Sequence, residues 1–195
     1  MSKKDKVTRD QAESAVRTLI QWAGDDPDRE GLIETPKRVV NAYNEFFAGY
    51  DIEPKDVLSK VFEEVEGYDE MVIVKNIRVE SHCEHHIVPI LGWAHVGYLP
   101  NKRIVGISKL ARILDLHARR LQNQERITKG IADDLERILQ PLGAAVILEA
   151  THGCMQCRGV AKQEAVMTTS AMRGVFFERP EARTELMQLI QQPAL

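Results

Sequence analysis

The sequence predicts an α+β protein in which a helical N-terminal segment is followed by an antiparallel sheet. Apolar residues recur at helical spacing in the first part of the chain, whereas four later runs have the composition of β-strands. Two helical stretches separate the second of these runs from the third, and a further helix closes the chain. The order after the first helices is therefore β-β-α-α-β-β, which indicates the α+β class.

Two helices are predicted in the N-terminal segment. The first covers residues 10–23, where alanine, valine, leucine and isoleucine recur at helical spacing. The second begins at Thr35, a good N-cap residue followed by Pro36 at the first helical position, and ends near Gly49. Its buried face is expected to contain Val39, Val40, Tyr43, Phe46 and Phe47.

A domain boundary is predicted near the end of the stretch 51–67, which is charged and irregular in pattern. It separates an N-terminal helical segment, residues 1–66, from a sheet-containing domain, residues 67–195. In that domain the predicted strands are 71–81, 90–100, 144–152 and 166–179, the last being one strand or two. The predicted helices run from Ser108, as N-cap, to about Arg120, from Gln124 to Gln140, and over 180–192.

Composition restricts the classes of function. The chain has 195 residues, 44% of them hydrophobic and 28% charged, which is ordinary for a globular protein with a real core. A net charge of −3 argues against broad nucleic-acid binding. No apolar run approaches the roughly 18 to 20 residues of a membrane span. Three cysteines are too few for a disulfide framework, so reduced thiols in the cytoplasm, free to bind metal, are expected.

Two short stretches concentrate soft metal ligands. They are ESHCEHHIVP (80–89), with Cys83, His85 and His86, and ATHGCMQCRGV (150–160), with His152, Cys154 and Cys157. Pro89 disfavours a helix immediately before it, so a tight turn is expected to close Cys83 and His86 on one ion while His85 projects differently. His152 and Cys154 are two apart at the end of a predicted strand, which allows both to point into one cleft.

Spacing alone leaves two kinds of zinc site open. A closed site would combine Cys83-x-x-His86 with Cys154-x-x-Cys157 as four protein ligands and would serve only as a structural staple. An open site would have three protein ligands and a water, whose pKa a zinc ion lowers to about 7. The open site leaves histidines nearby that a staple does not require. Composition does not decide between the two.

Several long motifs, in order, resemble the GTP cyclohydrolase I family. They are ETPKRVVNAYNEFFAGY, SHCEHHIVPILGWAHVGYLP, VGISKLARILDLHARRLQNQERITKGIADDL, ILEATHGCMQCRGV and TTSAMRGVFF. The resemblance covers roughly residues 30 to 192. It implies a tunnelling-fold unit that assembles into a ring-shaped homo-oligomer, in this family a decamer. It also implies a zinc enzyme that opens the guanine imidazole ring of GTP, releasing formate and giving 7,8-dihydroneopterin triphosphate, at the start of folate and pterin biosynthesis.

The resemblance assigns the residues of the metal site. It implies Cys83, His86 and Cys154 as the zinc ligands and leaves the fourth position open. Cys157 falls where the family pattern is variable, which disfavours it as a ligand. His152 would donate a proton to N7 of guanine, and His85 would manage protons near the ribose.

The substrate-binding residues follow partly from charge and partly from the resemblance. Ser108 and Lys109 open a predicted helix with Arg112 one turn later, an arrangement that suits phosphate or an ordinary solvated helix face. The resemblance selects the triphosphate reading for these three and adds Arg158 and Arg38. It assigns guanine recognition to Gln124 and Glu125, because a carboxylate accepts from the N1–H and the amino group of the base.

Two other classes of protein compete with this assignment. One is a zinc-free tunnelling-fold nitrile reductase that acts on a deazaguanine with an active-site cysteine. The C-E-H-H and H-x-C residues argue against it. The other is a non-catalytic ring protein stapled by zinc, which would bind the metal without turning over GTP.

Overall fold

The computed structural model describes residues 7–62 and 68–193, which form two compact units. The first unit ends at Ala48 and the second begins at Gly49. The domain boundary predicted between residues 66 and 67 lies outside the described residues. Among the helices that are described, none combines the length and the apolar character needed to cross a bilayer.

The first unit contains the two predicted helices. Helix α1 covers Arg9–Trp22, and Thr8 caps it because its hydroxyl accepts from the Gln11 backbone while the Gln11 side chain accepts from Thr8 N–H. Helix α2 covers Thr35–Phe46 with Pro36 in its first turn. Its N-cap is Glu34, so the prediction that Thr35 caps this helix is wrong. The helix also ends before Gly49, which lies in the 3₁₀ turn Ala48–Asp51.

The predicted buried face of α2 is wrong in part. Pro36 is the buried residue of this helix, whereas Tyr43 and Phe46 are each 39% exposed. Val39, Val40 and Phe47 are half-buried. Helical spacing therefore identified an apolar stripe, but spacing does not tell how much of a stripe its own chain covers.

The second unit begins with short elements where an irregular stretch was predicted. Helix α3 covers Pro54–Leu58 and buries Val57 and Leu58. Strand β1, Val61–Phe62, pairs with strand β4, Ile104–Val105, in a separate two-stranded sheet. The irregular charge pattern concealed the short helix because only its last two residues reach the core.

In the part of the chain that the structure describes, the main sheet has five strands, and the predicted β-β-α-α-β-β order is confirmed. Its strands are β2 (Val72–Cys83), β3 (Pro89–Leu99), β5 (Leu121–Gln122), β6 (Gly143–His152) and β7 (Met167–Gly174). Their order across the sheet is β5-β2-β3-β6-β7. The four long strands are antiparallel to their neighbours, whereas the two-residue β5 runs parallel to β2. Ile90, at the start of β3, pairs with His152, at the end of β6. The turn between β2 and β3 and the end of β6 therefore lie at the same end of the sheet.

Two long helices cover one face of the sheet. Helix α4, Ile107–Ala118, buries Leu110, Ile113 and Leu114, and helix α5, Gln124–Leu139, buries Ile127, Ile131 and Leu135. These side chains form one core with apolar residues of β2, β3 and β6. The N-cap of α4 is Gly106, so the prediction that Ser108 caps the helix is wrong. Ser108 instead lies in the first helical turn.

The remaining helices are short or C-terminal. Helix α6 covers Gly153–Gln156, directly after β6. The stretch predicted as one or two strands over 166–179 is a strand only to Gly174 and continues as helix α7, Val175–Glu178. Helix α8 covers Pro180–Gln191, as predicted, and packs Leu186 with Phe176 in a second, smaller core.

A buried polar contact joins α4 to α5. Nε2 of His117 donates to Asp134 Oδ2 over 2.8 Å, and Asp134 also accepts from Arg137 over 2.5 Å. Gly130 makes room for this contact, because a Cβ at this position would lie 2.7 Å from Cε1 of His117. The two helices are thus joined by a charge-assisted bond as well as by apolar packing.

Candidate metal centre and active site

Three soft ligands converge at the end of the sheet where β2 and β6 terminate. Sγ of Cys83, a ring nitrogen of His86 and Sγ of Cys154 all lie within 4.8 Å of one another. Cys83 is buried, Cys154 is half-buried and His86 is exposed. Among the described residues this is the group of three or more possible ligands that could hold a metal ion.

The turn after β2 brings Cys83 and His86 together, as predicted. The carbonyl of Cys83 accepts from the backbone N–H of Ile87 over 2.8 Å, and the N–H of Cys83 donates to Val88 O over 2.9 Å. Sγ of Cys83 then lies 4.0 Å from Nδ1 of His86. Ile87 adopts a φ of 56°, which a β-branched residue rarely does and which costs about 1 to 3 kcal/mol. The surrounding contacts therefore hold this turn in a strained shape beside the ligands.

Glu84 fixes the turn to the start of α5. Its carboxylate accepts from Arg126 Nη1 over 2.6 Å and from Asn123 Nδ2 over 3.1 Å. The hydrogen bond from Arg126 lowers the pKa of Glu84 from its usual value. Asn123 also caps α5 by accepting from Arg126 N–H over 2.8 Å. One side of the ligand turn is thus attached to a helix of the main core.

Cys154 reaches the cluster from a helix. The prediction that His152 and Cys154 share one side of an extended strand is wrong for Cys154, because β6 ends at His152 and Cys154 lies in α6. The short helix nevertheless returns its thiol towards Cys83. Cys157, at the end of the same helix, is exposed, and its Sγ donates to Gly153 O over 2.8 Å. It is not a member of the described three-residue cluster.

His85 and Arg158 lie on the open side of the cluster. The side chain of His85 is 68% exposed, with Nδ1 at 3.8 Å from Cys83 Sγ and Nε2 at 3.7 Å from Glu84 Oε1. Arg158 Nη1 donates to Nε2 of His86 over 2.9 Å. The structure therefore places one histidine and one cation, both predicted from the sequence, beside the candidate ligands.

His152 is held by a buried glutamine. Its Nε2 lies 2.8 Å from Oε1 of Gln124, whose Nε2 donates to Leu148 O, Met167 O and Thr169 Oγ1. Because these acceptors fix the orientation of the amide, Nε2 of His152 carries the hydrogen and donates it. Burial lowers the pKa of His152, and the nearby charge of Glu125 partly opposes this effect.

Gln124 and Glu125 have different surroundings. Gln124 is fully buried, and its amide is hydrogen-bonded to protein groups. No atom of this side chain is exposed to a ligand in this structure, so its contact with the base stays a prediction. Glu125 is exposed and lines a cavity of about 600 Å³ together with Thr128, Thr169 and Arg183. A carboxylate beside hydroxyl groups in an open cavity is suited to accept hydrogen bonds from a ligand.

The predicted phosphate residues fall into three places. Ser108, Lys109 and Arg112 lie in the first half of α4, with Ser108 and Arg112 exposed. Among the described residues no carboxylate forms an ion pair with Lys109 or Arg112. Arg158 lies at the metal cluster, and Arg38 belongs to the first unit, on an exposed part of α2. Their common role in substrate binding stays a prediction.

The first turn of α4 is distant from the metal end of the sheet along the helix. Ala118 O, at the other end of α4, accepts from Ser81 Oγ over 2.6 Å, two residues before Cys83. Ser108 lies ten helical residues earlier, which corresponds to about 15 Å at 1.5 Å per residue. Within one copy of the chain, most of the length of α4 therefore separates Ser108 from the metal ligands.

Sequence reasoning missed two supporting contacts. Glu84 lies within C-E-H-H, but nothing in the sequence indicates that Arg126 is its partner, more than 40 positions away. The contact between Gln124 and His152 was also missed, because Gln124 was interpreted only as a neighbour of Glu125. Both contacts depend on the packing of α5 against the end of the sheet.

Comparisons with known proteins identify the family. The family model described as GTP cyclohydrolase I matches residues 12–191. A GTP cyclohydrolase 1 of Brucella suis is 55% identical over 186 residues, which is 95% of this chain and 87% of the relative. A GTP cyclohydrolase 1 of Brucella canis is 56% identical over 181 residues, which is 93% of this chain and 85% of that relative.

Among solved structures, an archaeosine synthase QueF-Like in the apo form is similar with a TM-score of 0.45 and 16% identity, over 53% of this chain and 93% of that one. The family match confirms the predicted tunnelling-fold class for the sheet and its two long helices. The ring assembly stays a prediction. Since the match spans nearly the whole sequence and more than half of the aligned residues are identical in these relatives, this chain belongs to the GTP cyclohydrolase I family.

Proposed function

We propose that this enzyme opens the guanine imidazole ring of GTP at the cluster of Cys83, His86 and Cys154. The products are formate and 7,8-dihydroneopterin triphosphate, the starting material of folate-type pterins. The observation that carries the proposal is the convergence of two thiols and one imidazole within 4.8 Å. The family match supports the reaction, and the geometry of the cluster supports this location for it.

The donor set fits zinc. Zinc binds thiolate at about 2.3 Å and imidazole at about 2.0 to 2.1 Å, so tetrahedral geometry requires ligand atoms about 3.5 to 3.8 Å apart. Cys83 Sγ and His86 Nδ1 are 4.0 Å apart, and all three ligand atoms lie within 4.8 Å, so small side-chain rotations suffice. Three protein ligands leave one position open, as catalytic zinc sites do, and a zinc ion there would activate water for hydrolysis.

His152 and His85 would carry the proton transfers. His152 is oriented by Gln124 through Nε2, which leaves Nδ1 to exchange protons with the substrate. His85 is exposed beside the cluster, which suits a group that moves protons near the ribose. The burial of one histidine and the exposure of the other support two different roles.

The substrate would be held at both ends. Glu125 would accept hydrogen bonds from the N1–H and amino group of guanine, as its position in an open cavity allows. Lys109, Arg112 and Arg158 would bind the triphosphate, with Ser108 and Arg38 as further contacts. Arg158, which contacts His86, would then place the triphosphate near the metal.

Assembly with further copies would complete the site. Strand β7 is an edge strand of the described sheet, and a second copy that pairs with it would cover its unpaired backbone groups. The distance along α4 between Ser108 and the metal end supports the same idea, because a neighbouring copy can supply the phosphate residues that one copy holds apart. We therefore propose a homo-oligomeric ring, a decamer by family resemblance, in the reducing cytoplasm, where three free cysteines are expected.

A combined zinc and turnover assay tests the proposal. The purified protein is incubated with GTP, formate and the pterin chromophore are measured, and bound zinc is counted per chain. We expect turnover that stops when zinc is removed by a chelator and returns when zinc is restored. Bound zinc without turnover would indicate the non-catalytic ring protein, and reduction of a nitrile substrate without bound metal would indicate the reductase.

A further inference from the structure

We propose that Cys154 and Cys157 form a reversible disulfide, which makes the metal cluster sensitive to hydroperoxides. The pair is separated by two residues, in the order Cys154-Met155-Gln156-Cys157. The effect on zinc rests on the proposed function, whereas the disulfide itself does not.

The backbone of α6 holds the two residues at a suitable distance. The N–H of Cys157 donates to Gly153 O over 3.0 Å, so Cys157 completes a helical turn that contains Cys154. Residues three apart in such a turn have Cα atoms about 5 Å apart. Disulfides form at Cα separations of about 4.4 to 6.8 Å and Cβ separations of about 3.5 to 4.5 Å. The Cα spacing therefore permits the bond, which forms when the two side chains rotate and the single turn of this short helix tightens to bring the Cβ atoms together.

The Cys157 thiol already points back along this turn. Its Sγ donates to Gly153 O over 2.8 Å, at the residue immediately before Cys154. A thiol that pointed away from the start of the helix would not reach this carbonyl. The contact therefore directs the Cys157 sulfur towards the first turn of the helix, which also contains Cys154.

Exposure determines which thiol an oxidant reaches first. Cys157 is exposed, Cys154 is half-buried, and Cys83 is only 5% exposed. Oxidation of cysteine follows access as well as thiolate character. Cys157 is thus the first target, and Cys154 is the thiol that resolves the oxidised product.

The chemistry requires one hydroperoxide per disulfide. The hydroperoxide oxidises the Cys157 thiol to a sulfenic acid and is itself reduced to water or an alcohol. The Cys154 sulfur then attacks the sulfenic sulfur, an S–S bond forms, the S–O bond breaks, and the hydroxyl leaves as water after taking up a proton. Two thiols have lost two electrons and two protons. A dithiol reverses the reaction by thiol–disulfide exchange.

The consequence is a loss of metal. A sulfur atom in a disulfide is no longer a thiolate ligand, so the cluster keeps only Cys83 and His86. Cys83 is the competing partner for Cys154, because both sulfur atoms belong to the same cluster. A disulfide between Cys83 and Cys154 would also release the metal, but it would leave Cys157 reduced. The two disulfides are therefore distinguishable by their connectivity.

Tryptic digestion separates the two connectivities. Cys154 and Cys157 lie in one peptide, residues 138–158, because the flanking cleavage sites follow Arg137 and Arg158. Cys83 lies in another peptide, residues 79–102. After treatment of the full-length protein with hydrogen peroxide, we expect peptide 138–158 to lose two hydrogens without becoming cross-linked, and dithiothreitol to restore them. A cross-link between the two peptides as the main product would overturn the proposal.

Cys157→Ser is the matched variant, because its hydroxyl keeps the hydrogen bond to Gly153. We expect it to keep zinc and activity before oxidation, and to release zinc under peroxide on the order of tenfold more slowly than the parent. Equal release rates would overturn the proposal. If freshly purified parent protein held no zinc and did not turn over GTP, the proposed function would fail. The mass of peptide 138–158 would still report on the disulfide.

Discussion

Nε2 of His152 donates a 2.8 Å hydrogen bond to Oε1 of Gln124, a residue that is itself fully buried. The amide nitrogen of Gln124 is committed to Leu148 O and Met167 O, so the amide cannot turn over without losing both bonds. One side chain therefore fixes the tautomer and the ring orientation of the histidine that is proposed to protonate the substrate.

Gln124→Leu should lower kcat while zinc is retained. Loss of a group that orients a functional histidine typically costs about 10- to 100-fold, whereas His152→Ala should cost on the order of 10²- to 10⁴-fold. Gln122→Leu is the matched control, because it also removes a buried amide, which donates to His117 O over 2.9 Å, without contacting His152. Steady-state kinetics and zinc counts should separate the two leucine variants.

The double variant provides a stricter test of the same contact. If Gln124 acts through His152, then Gln124→Leu should have little further effect on kcat in the His152→Ala background. Costs that simply add would show that Gln124 acts independently, and a loss of kcat in Gln122→Leu as large as in Gln124→Leu would indicate general destabilisation.

Zinc content should distinguish variants of the metal ligands from variants of the neighbouring residues. Cys83→Ala, His86→Ala or Cys154→Ala should each remove the zinc and abolish turnover, because two protein ligands hold zinc poorly. His85→Ala should keep the metal and lose only proton transfer, about 10²- to 10⁴-fold in kcat. Zinc analysis of the purified variants checks this. Zinc loss in His85→Ala, with retention in His86→Ala, would reassign the ligand.

Cys157→Ser distinguishes the open site from the closed one. With Cys157 exposed and outside the cluster, the variant should retain one zinc per chain and most of its activity under reducing conditions. A closed site would lose one of four metal bonds and therefore release zinc readily. Competition with a zinc chelator measures this difference directly.

Arg112→Ala should raise KM for GTP without changing the zinc content. Removal of a charge-assisted contact with phosphate costs about 2 to 3 kcal/mol, which corresponds to about 30- to 150-fold in KM. Arg119→Ala is the control, since Arg119 is an exposed arginine at the other end of the same helix. Equal KM values for the two variants would refute the assignment of α4 to the triphosphate.

Asp134→Asn should destabilise the fold most at neutral pH. Burial raises the pKa of Asp134, but the hydrogen bonds from His117 and Arg137 outweigh burial and bring it below its ordinary value of 3.8. The resulting stabilisation is complete above the pKa of the unfolded state and is lost as the pH falls through the lower folded pKa. At pH 7 the variant should therefore lose about 1 to 3 kcal/mol of unfolding free energy.

Urea unfolding at fixed protein concentration measures that loss, and the difference from the parent should shrink below about pH 4. Asp133→Asn is the control, because its carboxylate is 41% exposed and its ion pairs should contribute at most about 1 kcal/mol. A constant difference between parent and Asp134→Asn from pH 7 to pH 3 would contradict the role given to the charge.

Assembly is checked by mass. If copies pair along β7, sedimentation should give a multiple of the 22.1 kDa chain. Ser170→Pro, in the middle of this edge strand, should disrupt the assembly because proline cannot donate to a strand partner. Since Ser170 also pairs with Ile147 of β6, circular dichroism is needed to verify folding. A mass of one chain for the parent protein would exclude the ring.

The part of the site that follows from local rules was predictable from sequence. Pro89 disfavours a helix immediately before it and so favours the turn that joins Cys83 to His86, which the structure confirms. Cys154 was placed in the right cluster by an incorrect argument, because strand alternation was applied to a residue that lies in a helix. The end of the strand at His152 was predicted correctly, and the error arose because strand alternation was extended two residues beyond that end, into a helix.

Contacts distant in sequence were not predictable in the same way. The bonds from Arg126 to Glu84 and from Gln124 to His152 exist because α5 begins beside the end of the sheet, and no local pattern reports that packing. Exposure of Tyr43 and Phe46 has a similar origin, since spacing identifies an apolar stripe but not what covers it. Propensity also placed the start of α4 two residues late, at Ser108 instead of Gly106.

Gly130 has a consequence for attempts to engineer heat tolerance. Propensity scales recommend alanine for a glycine inside a helix, with an expected gain of about 1 kcal/mol. In α5 the added methyl group would lie 2.7 Å from the His117 ring and would push the imidazole away from Asp134. A rule that is sound for most helices would thus exchange a small gain in backbone entropy for a broken contact in the protein interior, so position 130 should be left unchanged when stabilising substitutions are combined in this enzyme.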